Sequence, residues 1–325
     1  MIRIILIVIL IYYFIITFFH SKTLIIWIPF SQIKCLKVKA RGHFGIIYRG
    51  IWIDKTVAIK KFLDSKDFDA YFWNELKSHC KCCGCGCINR CYGITMDPKT
   101  KDYMLVLQYA KENLHEYLQT NYVKITWKEK VEMLYQISIG VKRIHDADYT
   151  HGDLHSGNIL HQENPNNKNY QITDLGRAQP EDNPSNEIYG IILSLWNTNR
   201  DIGLCVNETK VYGVMPYIAP EVLRGKKYTQ AADIYSLGML MYFIATGKQP
   251  FYDWPHDQVL AIWQHNEIGR QLKEAEEYRK ENPLSIDVIQ SNTHSQAIYT
   301  SRLLDIDNNS VEIIDLTEST DQKYE

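Results

Sequence analysis

The sequence predicts an α+β fold, with strands concentrated before residue 110 and helices after it. Three observations lead there. Val57-Ala-Ile-Lys60 and Tyr103-Met-Leu-Val-Leu-Gln108 are short β-rich runs with apolar side chains that can face a core. Trp127 to His145 sets Val131, Leu134, Ile137, Val141 and Ile144 at three- and four-residue steps, which predicts a core-facing helix. Between these regions and the end lies His151-Gly-Asp-Leu-His-Ser-Gly-Asn-Ile-Leu160, a dense polar stretch closing on an apolar pair that begins another strand.

A chain of 325 residues has room for one large domain or two lobes with flanking segments. Apolar content of 45% and charged content of 23% are ordinary for a globular protein, and a net charge of −2 gives no reason to expect a nucleic-acid partner.

The N-terminus is different in character. Ile4 to Phe19 has Thr17 and the hydroxyls of Tyr12 and Tyr13 as its polar side-chain groups. As a helix it would rise about 24 Å, short of the roughly 30 Å hydrocarbon core of a bilayer. Apolar residues resume from Leu24 to Ile28, and a snorkelling Lys22 would make the span long enough. A cleaved signal peptide would need small residues where His20-Ser-Lys-Thr23 stands. The expectation is a membrane anchor within residues 1–30. Lys22, Lys34, Lys37, Lys39 and Arg41 follow it against Arg3 before it, which places the rest of the chain in the cytosol.

Ala40-Arg-Gly-His-Phe-Gly45 reads as a tight turn between two strands, and Gly42 and Gly45 allow close backbone approach to a ligand. Val57-Ala58-Ile59-Lys60 is the next strand. Phe68 to His79 follows as a helix, with Phe68, Tyr71, Phe72 and Leu76 at helical spacing and Glu75 fifteen residues after Lys60. Six of the eight cysteines fall between Cys80 and Cys91. Thiolates so spaced could chelate zinc or copper(I), but zinc sites usually draw ligand pairs from separate places, so free thiols are the simpler expectation. Tyr103 to Ala110 is a buried strand running into a linker, and residues 113–119 open a helix.

After the polar stretch, Tyr170-Gln-Ile-Thr is a strand that ends on Asp174-Leu-Gly176. A partial internal repeat follows. Asp174-Leu-Gly precedes Glu187-Ile-Tyr-Gly190, and Asp201-Ile-Gly precedes Lys210-Val-Tyr-Gly213. Ile191-Ile-Leu-Ser-Leu-Trp196 is read as an apolar patch within a loop over 183–208. Ala219-Pro-Glu221 and Ala231-Ala-Asp-Ile-Tyr-Ser-Leu-Gly238 come next, with Met239 to Ala245 continuing as core helix.

Together these motifs resemble the eukaryotic protein-kinase fold over residues 33 to about 255, matching in order and spacing at seven places. The wording Asp-Leu-His-Ser-Gly-Asn and Tyr217-Ile-Ala-Pro-Glu-Val-Leu-Arg-Gly225 resembles the fungal tyrosine-kinase-like group. The resemblance implies two lobes: an antiparallel sheet with one helix (33–110) and a mostly helical lobe (111–255). It implies ATP, Mg2+ and transfer of a phosphoryl group to the hydroxyl of a protein substrate, serine or threonine in preference to tyrosine. Asp153 would accept the hydroxyl proton, and Asn158 and Asp174 would hold the metal, with Asp201 as the rival of Asp174. Lys60, paired with Glu75, would contact the α- and β-phosphates. Ala40, Gly42 and Gly45 would cover the phosphates, Ala40 standing where the family has Gly. Ala58, Leu107, Gln108 and Ala110 would surround the adenine, and Asp233 would brace the catalytic loop.

The sequence departs from the family in four places. Gly152 stands for Arg, His155 for Lys, and Val214 for a Thr that marks serine/threonine enzymes. The second lobe also reads as shortened, with an amphipathic and charged helical tail over 256–281 and a disordered tail over 282–325, Arg270 being a poor partner for Glu221. The alternative to an active kinase is therefore a weak or inactive pseudokinase or scaffold.

Overall fold

The computed structural model describes residues 26–42, 45–63, 65, 70–82, 86–164, 167–180, 211–256 and 294–304. Ile4–Phe19, Cys83 and Cys85, the 183–208 loop with Asp201, and the helices expected within 258–281 lie outside them. No helix among the described residues is long and apolar enough to cross a membrane.

The first lobe is one six-stranded sheet. It comprises β1 (Ile26–Trp27), β2 (Ile33–Gly42), β3 (Gly45–Trp52), β4 (Lys55–Lys61), β5 (Cys91–Met96) and β6 (Tyr103–Gln108), in the order β1-β5-β6-β4-β3-β2. Neighbours are antiparallel except β1 beside β5. This corrects the proposed span to residue 28. Ile26 and Trp27 pair with Gly93 and Ile94, the Ile28 N–H donates to the Ile94 carbonyl at 2.8 Å, and Ile28 is 1% exposed. The apolar run reads in sequence as lipid-facing, but its backbone is satisfied by the edge of β5.

Strand periodicity sorts the side chains onto two faces. Val57 and Ile59 of β4 join Ile28, Ile33, Met104 and Val106 on one. Leu105 and Leu107 join Phe62, Phe72 and Leu76 on the other, where helix α1 (Ala70–Cys82) packs and Ala58 lies alongside. Lys60 follows Ile59 in the alternation and therefore points to the α1 side.

The β3–β4 turn has both central residues at positive φ, Ile53 at 45° and Asp54 at 59°. Positive φ at both positions suits the twist of a two-residue hairpin, but it is a backbone that a β-branched residue enters at a cost. Ile53 is 66% exposed, so it gives up little packing in exchange. Ile53→Asn is expected to raise stability by about 1 kcal/mol, seen as a higher melting temperature, since asparagine tolerates this conformation.

In the second lobe, β7 (Glu112–Asn113) leads into α2 (Leu114–Asn121) through a capping box of Asn113 and Glu116. Thr126 and Glu129 cap α3 (Trp127–His145) in the same way. The buried face of α3 is Lys130, Met133, Ile137, Gly140, Val141 and Ile144. Val131, expected in the core, is 50% exposed. Lys130 takes the inward position because its ammonium donates to the Ala245 carbonyl at 3.1 Å and sits 3.7 Å from the centre of the Tyr122 ring.

Strands β8 (Tyr149–Thr150), β9 (Ile159–Asn164) and β10 (Asn167–Ile172) frame the polar stretch at 151–158, and β11 (Gln179–Pro180) pairs with β8. Then come β12 (Val211–Gly213), α4 (Pro220–Leu223) and α5 (Gln230–Thr246). Helix α5 buries Met239, Leu240, Tyr242, Phe243 and Ile244 and stops at Gly247, whose φ of 75° makes a left-handed cap. Residues 294–304 fall in the tail expected to be disordered, yet they are packed on this lobe. Strand β13 (Arg302–Leu304) pairs antiparallel with β12, and Leu304 is 4% exposed in the core.

Candidate active site

The site forms where β4, α1, the 151–158 loop and the turn after β10 meet. The Lys60 ammonium donates to Glu75 Oε2 and to Asp174 Oδ1, each at 2.7 Å. One cation thus joins the sheet, the helix and a segment 114 residues downstream. Burial would lower the Lys60 pKa, but the charges of Asp174 and Glu75 outweigh it and raise it above its ordinary value. Burial would likewise raise Asp174. The charge and hydrogen bond of Lys60, with the Tyr71 hydroxyl, hold it instead at about 2, so it is ionised at neutral pH. His79 lies one turn beyond Glu75. Burial and the Lys60 charge push it down to about 4, which keeps it neutral beside the pair.

Asp174 has φ 61° and ψ 65°, a left-handed backbone uncommon for a residue other than glycine. Two side chains of α1 hold this turn in place. Tyr71 donates its hydroxyl to Asp174 Oδ1 at 2.9 Å. Asn74 donates to the Gly176 and Ala178 carbonyls at 2.8 and 2.9 Å. In the sequence Tyr71 reads as an apolar helix position, and nothing local marks Asn74. The available signal was spacing, since Tyr71 lies four residues before Glu75 and shares its face.

The polar stretch is held from below and from within. Asp233 of α5 accepts the His151 N–H at 2.7 Å and the Gly152 N–H at 3.2 Å, and also contacts His145 Nε2 at 3.0 Å. The His151 ring accepts the Asp153 N–H at Nδ1, 3.1 Å, and donates from Nε2 to the Thr173 carbonyl, 3.0 Å. Asn158 donates Nδ2 to the Asp153 carbonyl at 2.8 Å, which closes the loop. His155 Nε2 lies 3.9 Å from Asp153 Oδ1, and burial lowers its pKa. Ser156 and Tyr217 meet through Gln249, which also contacts His115.

Gly42 and Gly45 face each other at the end of the β2–β3 hairpin, with Ala40 two residues before on β2. Gly45 has φ +147°, and a Cβ there would lie 2.0 Å from the Lys61 carbonyl oxygen, so no other residue fits. A Cβ on Gly42 would meet nothing within 4 Å. Ala58 sits opposite Leu107 between β4 and β6, and Leu107 is 5% exposed. Gln108 ends β6 with its N–H on the Arg90 carbonyl, 2.8 Å, and Ala110 is nearly buried just beyond it. Lys39 and Arg49 both lie over the Tyr109 ring and cover the linker from the sheet side.

Cys82 and Cys91 are buried and Cys80 and Cys87 partly so, and no metal-ligand cluster occurs among the described residues.

The protein kinase domain family matches residues 38–319 of the chain. Among relatives, a protein of Acanthamoeba polyphaga mimivirus named as a serine/threonine-protein kinase/receptor, R831, is 29% identical over 248 residues, 72% of this chain and 13% of that protein. A Dictyostelium discoideum protein named as a serine/threonine-protein kinase is 27% identical over 239 residues, 70% of this chain and 16% of that protein. The human tyrosine-protein kinase FRK is 28% identical over 246 residues, 73% of this chain and 43% of that protein. The chain thus spans less than half the length of each of these relatives.

Proposed function

The chain belongs to the protein kinase family, and we propose that it transfers the γ-phosphoryl group of ATP to a protein hydroxyl, serine or threonine in preference to tyrosine. The observation that carries the reading is the Lys60 ammonium held at 2.7 Å from both Glu75 and Asp174. A buried cation so fixed is a preorganised electrostatic site for phosphate oxygens.

In this reading Lys60 binds and orients the phosphates, and Glu75 fixes its direction. The backbone at Ala40, Gly42 and Gly45 lies over the phosphates, with open space at Gly42. Ala58 and Leu107 line the adenine pocket, and the backbone groups of Gln108 and Ala110 bond the adenine edge. Asp153 orients the acceptor hydroxyl and takes up its proton. The donor set also fits a hard divalent cation. Asp174 is ionised, and the Asn158 amide oxygen is turned away from the bond its nitrogen makes. Asp174 and Asn158 would hold this ion, magnesium in our reading, whose charge would offset that of the phosphate oxygens.

The preference for serine or threonine rests on the names of the mimivirus and amoebal relatives and is opposed by that of the human one. It is tested by acid hydrolysis of a protein substrate labelled by the full chain from γ-labelled ATP. Phosphoserine or phosphothreonine is the expected product, and phosphotyrosine alone would reverse the preference.

We also propose that residues before Ile26 tether the chain to a membrane with the kinase domain in the cytosol. The support is the composition of Ile4–Phe19 and the basic residues after it. Full-length protein is expected in the pellet after carbonate extraction, and recovery in the supernatant would count against the tether.

A further inference from the structure

One contact at the site serves neither the nucleotide nor the metal. Ser301 donates its hydroxyl to Asp153 Oδ2 at 2.7 Å, from 148 residues away. Resting on the kinase reading above, we propose that Ser301 is a phosphoacceptor for the chain's own active site, reacting within the same molecule.

The hydroxyl is delivered by a docked strand. β13 lies antiparallel to β12 in the register Val211↔Leu304, Tyr212↔Leu303 and Gly213↔Arg302, so Ser301 immediately precedes the paired stretch. Strand addition to an exposed edge is a common way for a protein to hold an extended peptide. Both sides of the serine are anchored. On one side, Leu304 is buried in the second-lobe core, and Arg302 donates to the His256 carbonyl at 3.1 Å. On the other, the Ile298 N–H donates to His256 Nδ1 at 2.9 Å, and the Tyr299 hydroxyl donates to the Pro250 carbonyl at 3.1 Å. The Tyr299 ring meets the His256 ring edge-on at 4.7 Å. These contacts turn the Tyr299 hydroxyl away from Asp153 and leave that of Ser301 on it.

The floor of the pocket keeps room for this strand. Gly213 has φ +140°, and a Cβ there would fall 3.2 Å from Asp153 Oδ1 and 3.0 Å from the Ile218 side chain. An ordinary packed tail would need a buried anchor such as Leu304. It would not need the shortest side-chain hydrogen bond of its described residues to fall on the proposed proton acceptor. Holding the hydroxyl there replaces a bimolecular encounter by an intramolecular one.

The reaction balances without a further reagent. Ser301 Oγ bonds to the γ-phosphorus of ATP, and its proton passes to the Asp153 carboxylate. The bond from that phosphorus to the β,γ-bridging oxygen breaks, and ADP leaves with the electron pair. The product carries roughly two negative charges beside Asp153, which favours release of the strand.

The test uses the full chain, dephosphorylated and freed of phosphatase, with magnesium and ATP. Phosphate at Ser301 is followed by mass spectrometry over a wide range of protein concentration, with casein labelling as a parallel readout. In a second arm, tagged wild-type chain is mixed with Asp153→Asn chain. The expected result is Ser301 phosphate appearing with a rate constant independent of concentration, and none on the Asp153→Asn chain. Casein labelled with Ser301 unmodified would overturn the inference and leave the kinase reading standing. A rate proportional to concentration, or phosphate at Ser301 of the Asp153→Asn chain, would also overturn it in favour of transfer between molecules. Absence of phosphate from both casein and Ser301 would fail the kinase reading itself, and this inference with it.

Discussion

Asp153→Asn is expected to lower phosphoryl transfer to a protein substrate by about two to four orders of magnitude. The substitution preserves shape and removes the one property the proposed role needs, a carboxylate able to take a proton. The contacts that hold the loop do not depend on that carboxylate. Asp233 binds the His151 and Gly152 amides, His151 binds the Asp153 amide, and Asn158 binds the Asp153 carbonyl. The variant should therefore melt within a few degrees of the parent while kcat falls. A variant keeping more than a tenth of the parental kcat would remove Asp153 from the proposed role.

Lys60→Met is expected to act on both activity and stability. Transfer should fall by at least about two orders of magnitude, because no other cation among the described residues takes the place of the ammonium between Glu75 and Asp174. The stability effect follows from burial. Glu75 is fully buried, and the Asp174 side chain is 27% exposed. Without Lys60 two carboxylates face each other across a poorly solvated gap. One must take up a proton or the lobes must part. The cost is about 2–4 kcal/mol, reduced somewhat by solvent at Asp174, and it should lower the melting temperature by several degrees. The pair would then hold the lobes together besides serving the catalytic role proposed for it. Glu75→Gln, which leaves the Lys60–Asp174 bond, should destabilise less. Equal melting temperatures for Lys60→Met and the parent would contradict this account of the buried triad.

These two residues also show how much the sequence discloses. The step from Lys60 to Glu75 was legible because strand alternation and helix periodicity are local, and together they turn both side chains to one face. The same holds for the bounds of α3 and for Asp174, which stands two residues beyond β10, the strand paired with β9. Val131 failed for a different reason. It fits the period as well as its neighbours, but a lysine can bury its stem and satisfy its charge on Ala245, so the helix turned that way. Ile26–Ile28 failed because so few apolar residues read alike as strand or as the end of a membrane span. Tyr71, Asn74 and Ser301 are tertiary facts. Each meets a partner more than a hundred residues away, and nothing in a polar tail marks one serine out from the others. The residues that position the site were legible only where a motif carried them, and the residues that complete it were legible only in three dimensions.

Transfer of phosphate is measured most directly by its stoichiometry. The full chain is given γ-labelled ATP and casein with magnesium, and ADP formed is counted against phosphate found on protein, the chain's own included. Equal amounts of each are expected, abolished by chelating the metal and reduced to background by Asp153→Asn. Nucleotide binding with neither ADP nor phosphoprotein above the Asp153→Asn background would contradict it and favour a scaffold with a kinase fold.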